Sequence, residues 1–342
     1  NIPSTTRCDS AHANARGRSR FLIRFVAIAV SICFCSVNAH ARVNPTGSAG
    51  GGVSAGTSGA STRVSENSVS QNQREAVVLI ANLQQGSDVE KAFYRFVAWS
   101  AENVAVSILS PSYSRITVVK DSSATLSNLV SALRSSTGKA HIKAVDVIFV
   151  THGLDDRVLF SDGRASMTTV SARIAAELTA GQRAKLRALY STACWGETHR
   201  DEWLGAGFKV ASGARQVHAD SLTSYGAFLG AWALGNTFAS AVDTANASDP
   251  LRASDAAGNA WFASGIDPGY KKYVGKVESY REVSGKSSLT INLVYEGSAS
   301  GSSGAVGPLC GNSTGTPKTT WTQCPQGFKC INGRCQSQQM LQ

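Results

Sequence analysis

Hydrophobic and polar runs alternate along the middle of the chain, and their order predicts strands and helices in turn. Residues 76–81 (AVVLIA) form an unbroken apolar run, which is typical of a strand buried on both faces. Residues 88–101 carry helical periodicity, and residues 114–120 predict a second strand. Residues 145–150 (VDVIFV) give the strongest strand signal in the chain.

The pattern continues in the same way toward the carboxyl end of this region. Strands that alternate with helices predict an α/β fold with a mainly parallel, helix-covered sheet. The further predicted elements are a helix with Ser122 and Ser123 as N-cap candidates that runs to Arg134, a hairpin strand at 158–160 with a turn at 161–163, a helix at 167–178, and strands at 186–192 and 208–212.

Two polar stretches limit this α/β region. Residues 42–73 are mostly Gly, Ser, Thr, Asn and Gln, which bury too little apolar surface to offset the entropy of ordering, and we interpret them as a linker or pro-segment. Residues 297–307 are similar and predict a second linker. The predicted folded domain therefore spans residues 74–296, and residues 308–342 form a separate cysteine-rich tail.

The first 41 residues have the features of an export signal. Basic residues precede an apolar run at 25–37, and Ala39-His40-Ala41 follows as a cleavage site. We predict a signal peptide at 1–41, a mature chain from about Arg42, and a secreted, periplasmic or cell-surface location. A membrane anchor is the alternative, but this run is shorter than the roughly 20 residues that cross a bilayer, so we expect no stable span after processing.

Composition and charge narrow the function classes. The 342-residue chain is 42% hydrophobic, which excludes wholesale disorder. Removal of residues 1–41 takes the net charge from +10 to +6, because that segment holds five basic residues and one acidic residue. The remaining surplus is scattered, without the basic and aromatic clusters of nucleic-acid binding, so we expect no nucleic-acid partner.

The eight cysteines are placed unevenly. Three precede Arg42, and Cys194 stands alone. The four in the tail lack the C-x2-C pairs of a zinc site, and an exported location favours two disulfides with three connectivities open. This leaves Cys194 as the odd thiol of the mature chain. The predicted disulfide cysteines are Cys310, Cys324, Cys330 and Cys335.

Two predicted strand ends carry candidate chemistry. The strand at 145–150 leads into His152-Gly153, and the strand at 186–192 leads into Ala193-Cys194. Parallel strands present functional groups at their carboxyl ends, and neighbouring strands lie about 5 Å apart. If these strands are neighbours, His152 is a candidate base and Cys194 a candidate nucleophile. The backbone N–H groups of Gly153 and Cys194 are candidates for an oxyanion hole.

A free cysteine can also be an inert, buried hydrophobe. The strand-terminal position of Cys194 beside Gly196 argues against this interpretation, as does the sequence at 198–201, which predicts a helix through Leu204. We expect the amino end of that helix to lower the pKa of the Cys194 thiol.

The sequences VDVIFVTHG (145–153) and LYSTACWG (189–196) resemble the two catalytic strand ends of clan CD cysteine peptidases, which include caspases, legumain, gingipains, clostripain and separase. The apolar stretch at 227–242 is similar to the helix that follows the next strand in these domains. The resemblance is specific over 144–217 and architectural over the rest of 74–297. It implies a three-layer caspase-like fold and a peptidase, or a transpeptidase with the same acyl-enzyme chemistry, whose dyad is His152 and Cys194.

The chain departs from this family at one position. Members that cleave after Arg or Lys often carry an acid two residues before the nucleophile, where this chain has Thr192, which argues against a basic P1 preference. Solvated acids on loops are the commoner case. The candidate pocket residues near the predicted strand ends are Asp155, Asp156, Trp195 and Asp220.

Other signals carry less weight. The G-x-S-x-G sequence at 52–56 lacks the strand that a serine-hydrolase elbow requires. His199 and His218 form no close ligand pair with another His or Cys, so we interpret them as surface or structural residues and expect no metal and no cofactor.

The sequence thus predicts a secreted cysteine endopeptidase that acts on polypeptides. Its tail is either a module that binds a cell-surface or extracellular ligand or a disulfide-bonded segment without a partner. The alternative is a secreted or surface-exposed binding protein with an inactive caspase-like body and an interacting cysteine-rich tail.

Overall fold

The computed structural model describes residues 66–81, 88–264, 276–295, 328–331 and 334–337. The chain divides into two compact units after Tyr295. The predicted signal peptide at 1–41, the linker at 297–307 and the G-x-S-x-G sequence at 52–56 lie outside the described residues.

A six-stranded sheet forms the centre of the first unit, in the order β10-β9-β8-β4-β2-β3. Its first five strands in the chain are parallel, and the last pairs antiparallel at one edge. The six strands are β2 (Arg74–Ile80), β3 (Arg115–Lys120), β4 (Ala144–Val150), β8 (Leu186–Ser191), β9 (Val210–Ala214) and β10 (Arg281–Gly285).

Shorter strands complete the first unit, and a hairpin is described in the second. One short strand pairs antiparallel with the last strand of the first unit, and a three-stranded antiparallel sheet follows β4. These strands are β1 (Glu66–Ser68), β5 (Gly153–Leu154), β6 (Arg157–Phe160), β7 (Gly163–Ser166), β11 (Leu293–Tyr295), and β12 (Phe328–Ile331) with β13 (Arg334–Ser337) in the hairpin.

Helices cover both faces of the central sheet. Alternate residues of β2 face opposite sides, so Val78 joins one buried apolar cluster and Val77 the other. The first cluster includes α1, α6 and α7, and the second includes α2, α3 and α5. The predicted three-layer α/β fold is confirmed. The helices are α1 (Asp88–Leu109), α2 (Leu126–Thr137), α3 (Met167–Glu177), α4 (Ala180–Ala184), α5 (Gly196–Ala206), α6 (Ser221–Ala233), α7 (Phe238–Ala247) and α8 (Ala253–Ser264).

Two predicted helix boundaries are wrong. Ser122 and Ser123 lie in a 3-10 turn, and α2 begins three residues later, where the side chain of Thr125 accepts a hydrogen bond from the backbone N–H of Asn128 at 3.1 Å. The stretch at 227–242 is two helices rather than one, because the chain turns at Gly235, which has a φ of 88°, before α7 begins.

The first unit begins earlier than the sequence predicts. Residues 66–73, which we predicted as part of the linker, contain β1 and a 3-10 helix. Val69 is the apolar exception in this polar stretch and is 4% exposed, and its N–H donates to the carbonyl of Asn292 at 2.8 Å. The rest of the predicted linker, residues 42–65, lies outside the described residues.

A buried polar cluster lies at the amino ends of the parallel strands, and we call it the amino-edge cluster: Arg74, Tyr113, Asp146, Arg187 and Trp232. Asp146 accepts hydrogen bonds from the Nε of Arg187 at 2.9 Å and from the hydroxyl of Tyr113 at 2.5 Å. The indole N–H of Trp232 donates to the Tyr113 oxygen at 2.9 Å. Burial disfavours the Arg187 charge, yet Asp146 holds the pKa of Arg187 above its ordinary value.

The two arginines of this cluster also hold the last part of the first unit. The Nη1 atoms of Arg74 and Arg187 both donate to the carbonyl of Ile291 at 2.6 Å. Arg187 donates further to the carbonyl of Leu293 at 2.9 Å. The cluster therefore binds the segment before residue 296 to the central sheet.

In the hairpin of the second unit, the backbone register aligns Cys330 with Cys335. Cys310 and Cys324 lie outside the described residues. No helix within the described ranges has the length and apolar character that crossing a membrane requires.

Candidate active site

The two strand ends predicted to carry chemistry are neighbours. β4 and β8 pair in parallel, with Phe149 opposite Ser191, and the N–H of Thr192 donates to the carbonyl of Phe149 at 2.9 Å. The segments that contain His152 and Cys194 therefore leave the same edge of the sheet from adjacent strands. The condition on which the candidate dyad depends, that these two strands are neighbours, is therefore met.

Gly153 allows the two segments to touch. A Cβ atom at Gly153 would lie 2.2 Å from the carbonyl oxygen of Cys194 and 2.9 Å from the Cβ of Ala193. Because the nearest of these contacts is with backbone, only glycine fits this approach. Burial raises the pKa of the Cys194 thiol, and the N–H of Gly153 opposes this effect because it favours the thiolate.

A tight turn presents Cys194 between β8 and α5. Trp195 adopts a left-handed conformation with φ 58° and ψ 20°, and its N–H donates to the carbonyl of Gln216 at 2.8 Å. A Cβ at Gly196 would lie 2.8 Å from the Cα of Gly213, so α5 begins tightly against β9. The helix begins at Gly196 and not after Thr198, as the capping pattern predicted.

The left-handed tryptophan stands next to the candidate nucleophile. A bulky residue in this conformation costs on the order of 1–3 kcal/mol, and such strain concentrates at functional sites. The left-handed conformation of Trp195 reverses the chain direction, so that Cys194 lies at the end of β8 and α5 begins immediately after the turn. Trp195 itself is half-buried beside Cys194.

The Cys194 thiol is half-buried and free of disulfide bonding. Burial raises its pKa, whereas the backbone N–H groups of His218, Gly153 and Cys194 and the charge of Arg281 lower it. The N–H of His218 lies 3.4 Å from the Cys194 sulfur. Burial outweighs the lowering, so the predicted depressed thiol pKa is wrong.

The His152 imidazole lies against the first helix of the domain. Its ring meets that of Tyr94 on α1 edge to face, with centroids 5.0 Å apart and an interplanar angle of 85°. The carbonyl of His152 accepts the N–H of Leu159 at 3.0 Å, which fixes the backbone to β6. His152 as a whole is half-buried.

The structure brings His218 to the site, whereas we predicted a surface or structural role for it. Its Nδ1 lies 2.9 Å from the Oδ1 of Asp220, and its Nε2 accepts a hydrogen bond from the Nη2 of Arg281 at 2.7 Å. Burial and the Arg281 charge lower the pKa of His218. Its place four residues after β9, at the same edge as Cys194, is the sequence signal that could have identified it.

Arg281 reaches the site from the antiparallel strand β10 and is 2% exposed. Its Nη1 donates to the carbonyl oxygen of Ser191, the last residue of β8. Its guanidinium carbon lies 4.3 Å from the centroid of the Tyr190 ring. No pattern in the sequence relates Arg281 to Cys194, because β10 is short and polar and was not predicted.

The four candidate pocket residues have different environments. Asp155 and Asp156 are exposed on the turn between β5 and β6, as solvated loop acids would be. Asp220 is 2% exposed and bonded to His218, so it is not a solvated loop acid. Burial opposes its charge, but His218 and Arg281 hold the pKa of Asp220 below its ordinary value.

His199 has a structural role. It is fully buried on α5, and its Nε2 lies 2.8 Å from the carbonyl oxygen of Leu154. Burial lowers the pKa of its imidazole. Within the described ranges, no cluster of three or more His, Cys, Asp or Glu side chains could hold a metal ion.

No protein-family model and no curated protein matches the chain. Solved structures that are similar to it include two cysteine peptidases. The first, the Arg-specific cysteine proteinase gingipain R, has a TM-score of 0.40 and 15% identity over 66% of this chain and 49% of its own. This chain thus spans about half of the gingipain structure. Caspase-1 from Spodoptera frugiperda has a TM-score of 0.43 and 11% identity over 69% of this chain and 94% of its own.

Proposed function

We propose that the protein is an exported cysteine endopeptidase in which Cys194 is the nucleophile and His152 the general base and acid. One observation carries this proposal: Cys194 is a free thiol on a tight turn after β8, with the backbone N–H of His218 3.4 Å from its sulfur and the His152 segment on the neighbouring strand. A half-buried thiol with this support can attack a substrate that enters from the sheet edge.

The proposed reaction proceeds through a thioester. His152 takes the proton of the Cys194 thiol, and the sulfur forms a bond to the carbonyl carbon of the substrate peptide. The C–N bond then breaks, and His152 returns the proton to the leaving amine. Water hydrolyses the thioester, which releases the new carboxylate and restores the thiol. The N–H groups of Gly153 and Cys194 stabilise the oxyanion in both steps.

His152 suits the role of base better than His218. Both ring nitrogens of His218 are engaged, one with Asp220 and the other with Arg281. The lone pair of the His218 Nε2 accepts the Arg281 hydrogen bond, so it is not available to take the thiol proton. His152 is half-buried and lies two residues after β4, the strand next to that of Cys194.

Export and the tail belong to the same proposal. The basic and apolar segment at 1–41 supports cleavage near Arg42 and a secreted, periplasmic or cell-surface enzyme with polypeptide substrates. The four tail cysteines support a disulfide-bonded module that binds an extracellular or cell-surface ligand.

The test is peptide cleavage by the wild-type chain and by Cys194→Ala. We expect the wild type to cleave members of a quenched fluorescent peptide library and the variant to cleave none, because alanine leaves no nucleophile at the end of β8. Urea unfolding of both proteins verifies that the variant keeps its fold. Cleavage by folded Cys194→Ala would refute the proposal. A folded wild type that cleaves no peptide and whose Cys194 resists alkylation would favour the binding-protein alternative.

A further inference from the structure

Three side chains form a buried chain of contacts behind Cys194, and we call them the Arg281 relay: Arg281, His218 and Asp220. The relay begins on β10, passes through the loop after β9 and ends at the residue before α6. Arg281 and Asp220 are each 2% exposed, and the His218 side chain is 1% exposed. Buried charges of this kind are costly to maintain and need a compensating role.

The arginine of the relay bridges the two segments that hold the sulfur. One nitrogen donates to the carbonyl of Ser191, three residues before Cys194, and another donates to His218. The N–H of His218 in turn lies 3.4 Å from the Cys194 sulfur. A single guanidinium therefore connects the strand end that presents the nucleophile with the loop that donates to it.

The charge of the arginine is compensated indirectly. The imidazole of His218 stands between Arg281 and Asp220, and it is neutral because its Nε2 accepts from Arg281 while its Nδ1 donates to Asp220. The Nε of Arg281 has no hydrogen-bond partner among the described residues. Because no carboxylate pairs with this guanidinium directly, its positive charge also stabilises the thiolate of Cys194.

The other charged groups near the relay compensate one another. Arg252 lies 3.8 Å from the Oδ2 of Asp220, and its Nη2 pairs with Asp255 at 2.7 Å. Asp255 also accepts the N–H of Ser279 at 3.1 Å. This pair lies at the Asp220 end of the relay, whereas Arg281 at the other end donates to the carbonyl of Ser191.

We propose that Arg281 is a positioning residue for Cys194, which fixes the end of β8 against the His218 loop and keeps a positive charge within electrostatic reach of the sulfur. This inference deepens the proposed function and rests on it. Arg281 contacts no reacting atom. It acts through the Ser191 carbonyl, through His218 and through its field, and it favours the thiolate that attacks the substrate.

The test measures the pH dependence of Cys194 alkylation by iodoacetamide in the full chain, without any peptide substrate. Mass spectrometry of the peptide that contains Cys194 separates this thiol from the other cysteines. Arg281→Met removes the charge, so we expect the midpoint pH of alkylation to rise by about one unit. Asp220→Asn keeps the shape and the His218 hydrogen bond but leaves Arg281 uncompensated, so we expect the midpoint to fall by about one unit.

Arg215→Met is the matched control. Arg215 follows β9 directly, is exposed and pairs with Glu278 at 3.2 Å, so its removal changes the net charge as Arg281→Met does but leaves the relay intact. We expect its midpoint to equal that of the wild type. The opposite shifts of the two relay variants exclude a merely structural effect, since loosening the site would move both midpoints in the same direction.

The proposal is overturned if Arg281→Met and Asp220→Asn move the midpoint in the same direction, or if neither moves it relative to Arg215→Met. If Arg281→Met does not fold, Asp220→Asn decides alone, and an unchanged or higher midpoint overturns the proposal. Because alkylation needs no substrate, this test is independent of peptide cleavage. The proposed role of Arg281 can be wrong in a chain that cleaves peptides, and the alkylation shifts can occur in a chain that cleaves none.

Discussion

At the amino edge of the central sheet Arg187 meets a carboxylate directly, whereas at the carboxyl edge Arg281 meets a neutral imidazole. Asp146 takes the Arg187 guanidinium with both oxygens, and neighbouring carbonyls accept its remaining nitrogen. Arg281 donates to one carbonyl and to His218, and its Nε has no hydrogen-bond partner among the described residues.

In our proposal, the amino edge of the sheet stabilises the fold and the carboxyl edge carries the catalytic thiol. A closed ion pair has little attraction left for a third group, and it suits the edge that holds the end of the domain. An arginine whose counter-ion lies behind an imidazole keeps part of its field available, and it suits the edge that carries the thiol. We therefore expect substitutions at the amino edge to lower the stability of the fold and substitutions at the carboxyl edge to change the reactivity of Cys194.

The largest expected effect concerns catalysis at the carboxyl edge. His152→Ala removes the proposed base, so we expect kcat/KM for a cleaved peptide to fall by about 10²–10⁴ while the free energy of unfolding changes little. Steady-state kinetics and urea unfolding measure the two quantities. His141→Ala is the control, because His141 is exposed at the opposite end of β4 and should retain wild-type kcat/KM. Equal kcat/KM for both variants would contradict the role of His152.

The next effect concerns stability at the amino edge. Asp146→Ala leaves the buried Arg187 charge unpaired, so we expect the free energy of unfolding to fall by about 3–5 kcal/mol. Urea unfolding measures this loss. Asp243→Ala on the exposed side of α7 should change the stability by less than about 0.5 kcal/mol.

The same Asp146 variant also separates the two edges. In conditions where it remains folded, the midpoint pH of Cys194 alkylation should match the wild type, because Asp146 has no part in the Arg281 relay. A shifted midpoint would show that the two edges are coupled and would contradict their separate roles.

The smallest effect is a pH dependence that only the carboxyl edge should show near neutrality. Burial holds the pKa of His218 below its unfolded value of about 6.5, so the unfolded chain binds a proton that the folded chain resists. Stability therefore falls as the pH drops below about 6.5. Asp220, whose pKa is also lowered, adds a loss in the same direction only below about pH 4.

His218→Gln isolates this contribution. We expect the wild type to lose more stability than the variant between about pH 7.5 and about pH 5.5, by at most about 1.4 kcal/mol per unit. His199 adds a loss of the same sign in both proteins, since burial also lowers its pKa. Urea unfolding at the two pH values measures the difference, and equal losses in the two proteins would exclude a neutral, buried His218.

The sequence predicts the parts of the fold that depend on local pattern. The short, strongly apolar runs of β2 and β4 favour strands buried on both faces, and the structure contains both strands. The position of His152 near Cys194 follows from the geometry of parallel strands, because the ends of adjacent strands meet at one edge.

The parts that sequence reasoning missed depend on distant contacts. Arg281 lies 87 residues after Cys194 and reaches it from a short, polar edge strand whose pairing with β9 leaves no periodic signal. His218 looked isolated because its contact with Arg281 appears only when β10 is in place, and because the sequence does not show that Asp220, two residues later, is buried against it. The prediction of a lowered pKa for the Cys194 thiol was wrong for a related reason. The sequence indicates the position of a helix but not the burial of a residue at a turn.

The most direct test of the proposed nucleophile is covalent labelling of the folded wild-type chain by a peptidyl acyloxymethyl ketone, followed by mass spectrometry of its peptides. We predict one adduct, on Cys194, that disappears when the chain is unfolded in urea before labelling, because the reaction needs the assembled carboxyl edge. Adducts on the tail cysteines without one on Cys194, or equal labelling of Cys194 in folded and unfolded chains, would contradict the proposal that this edge is a peptidase site.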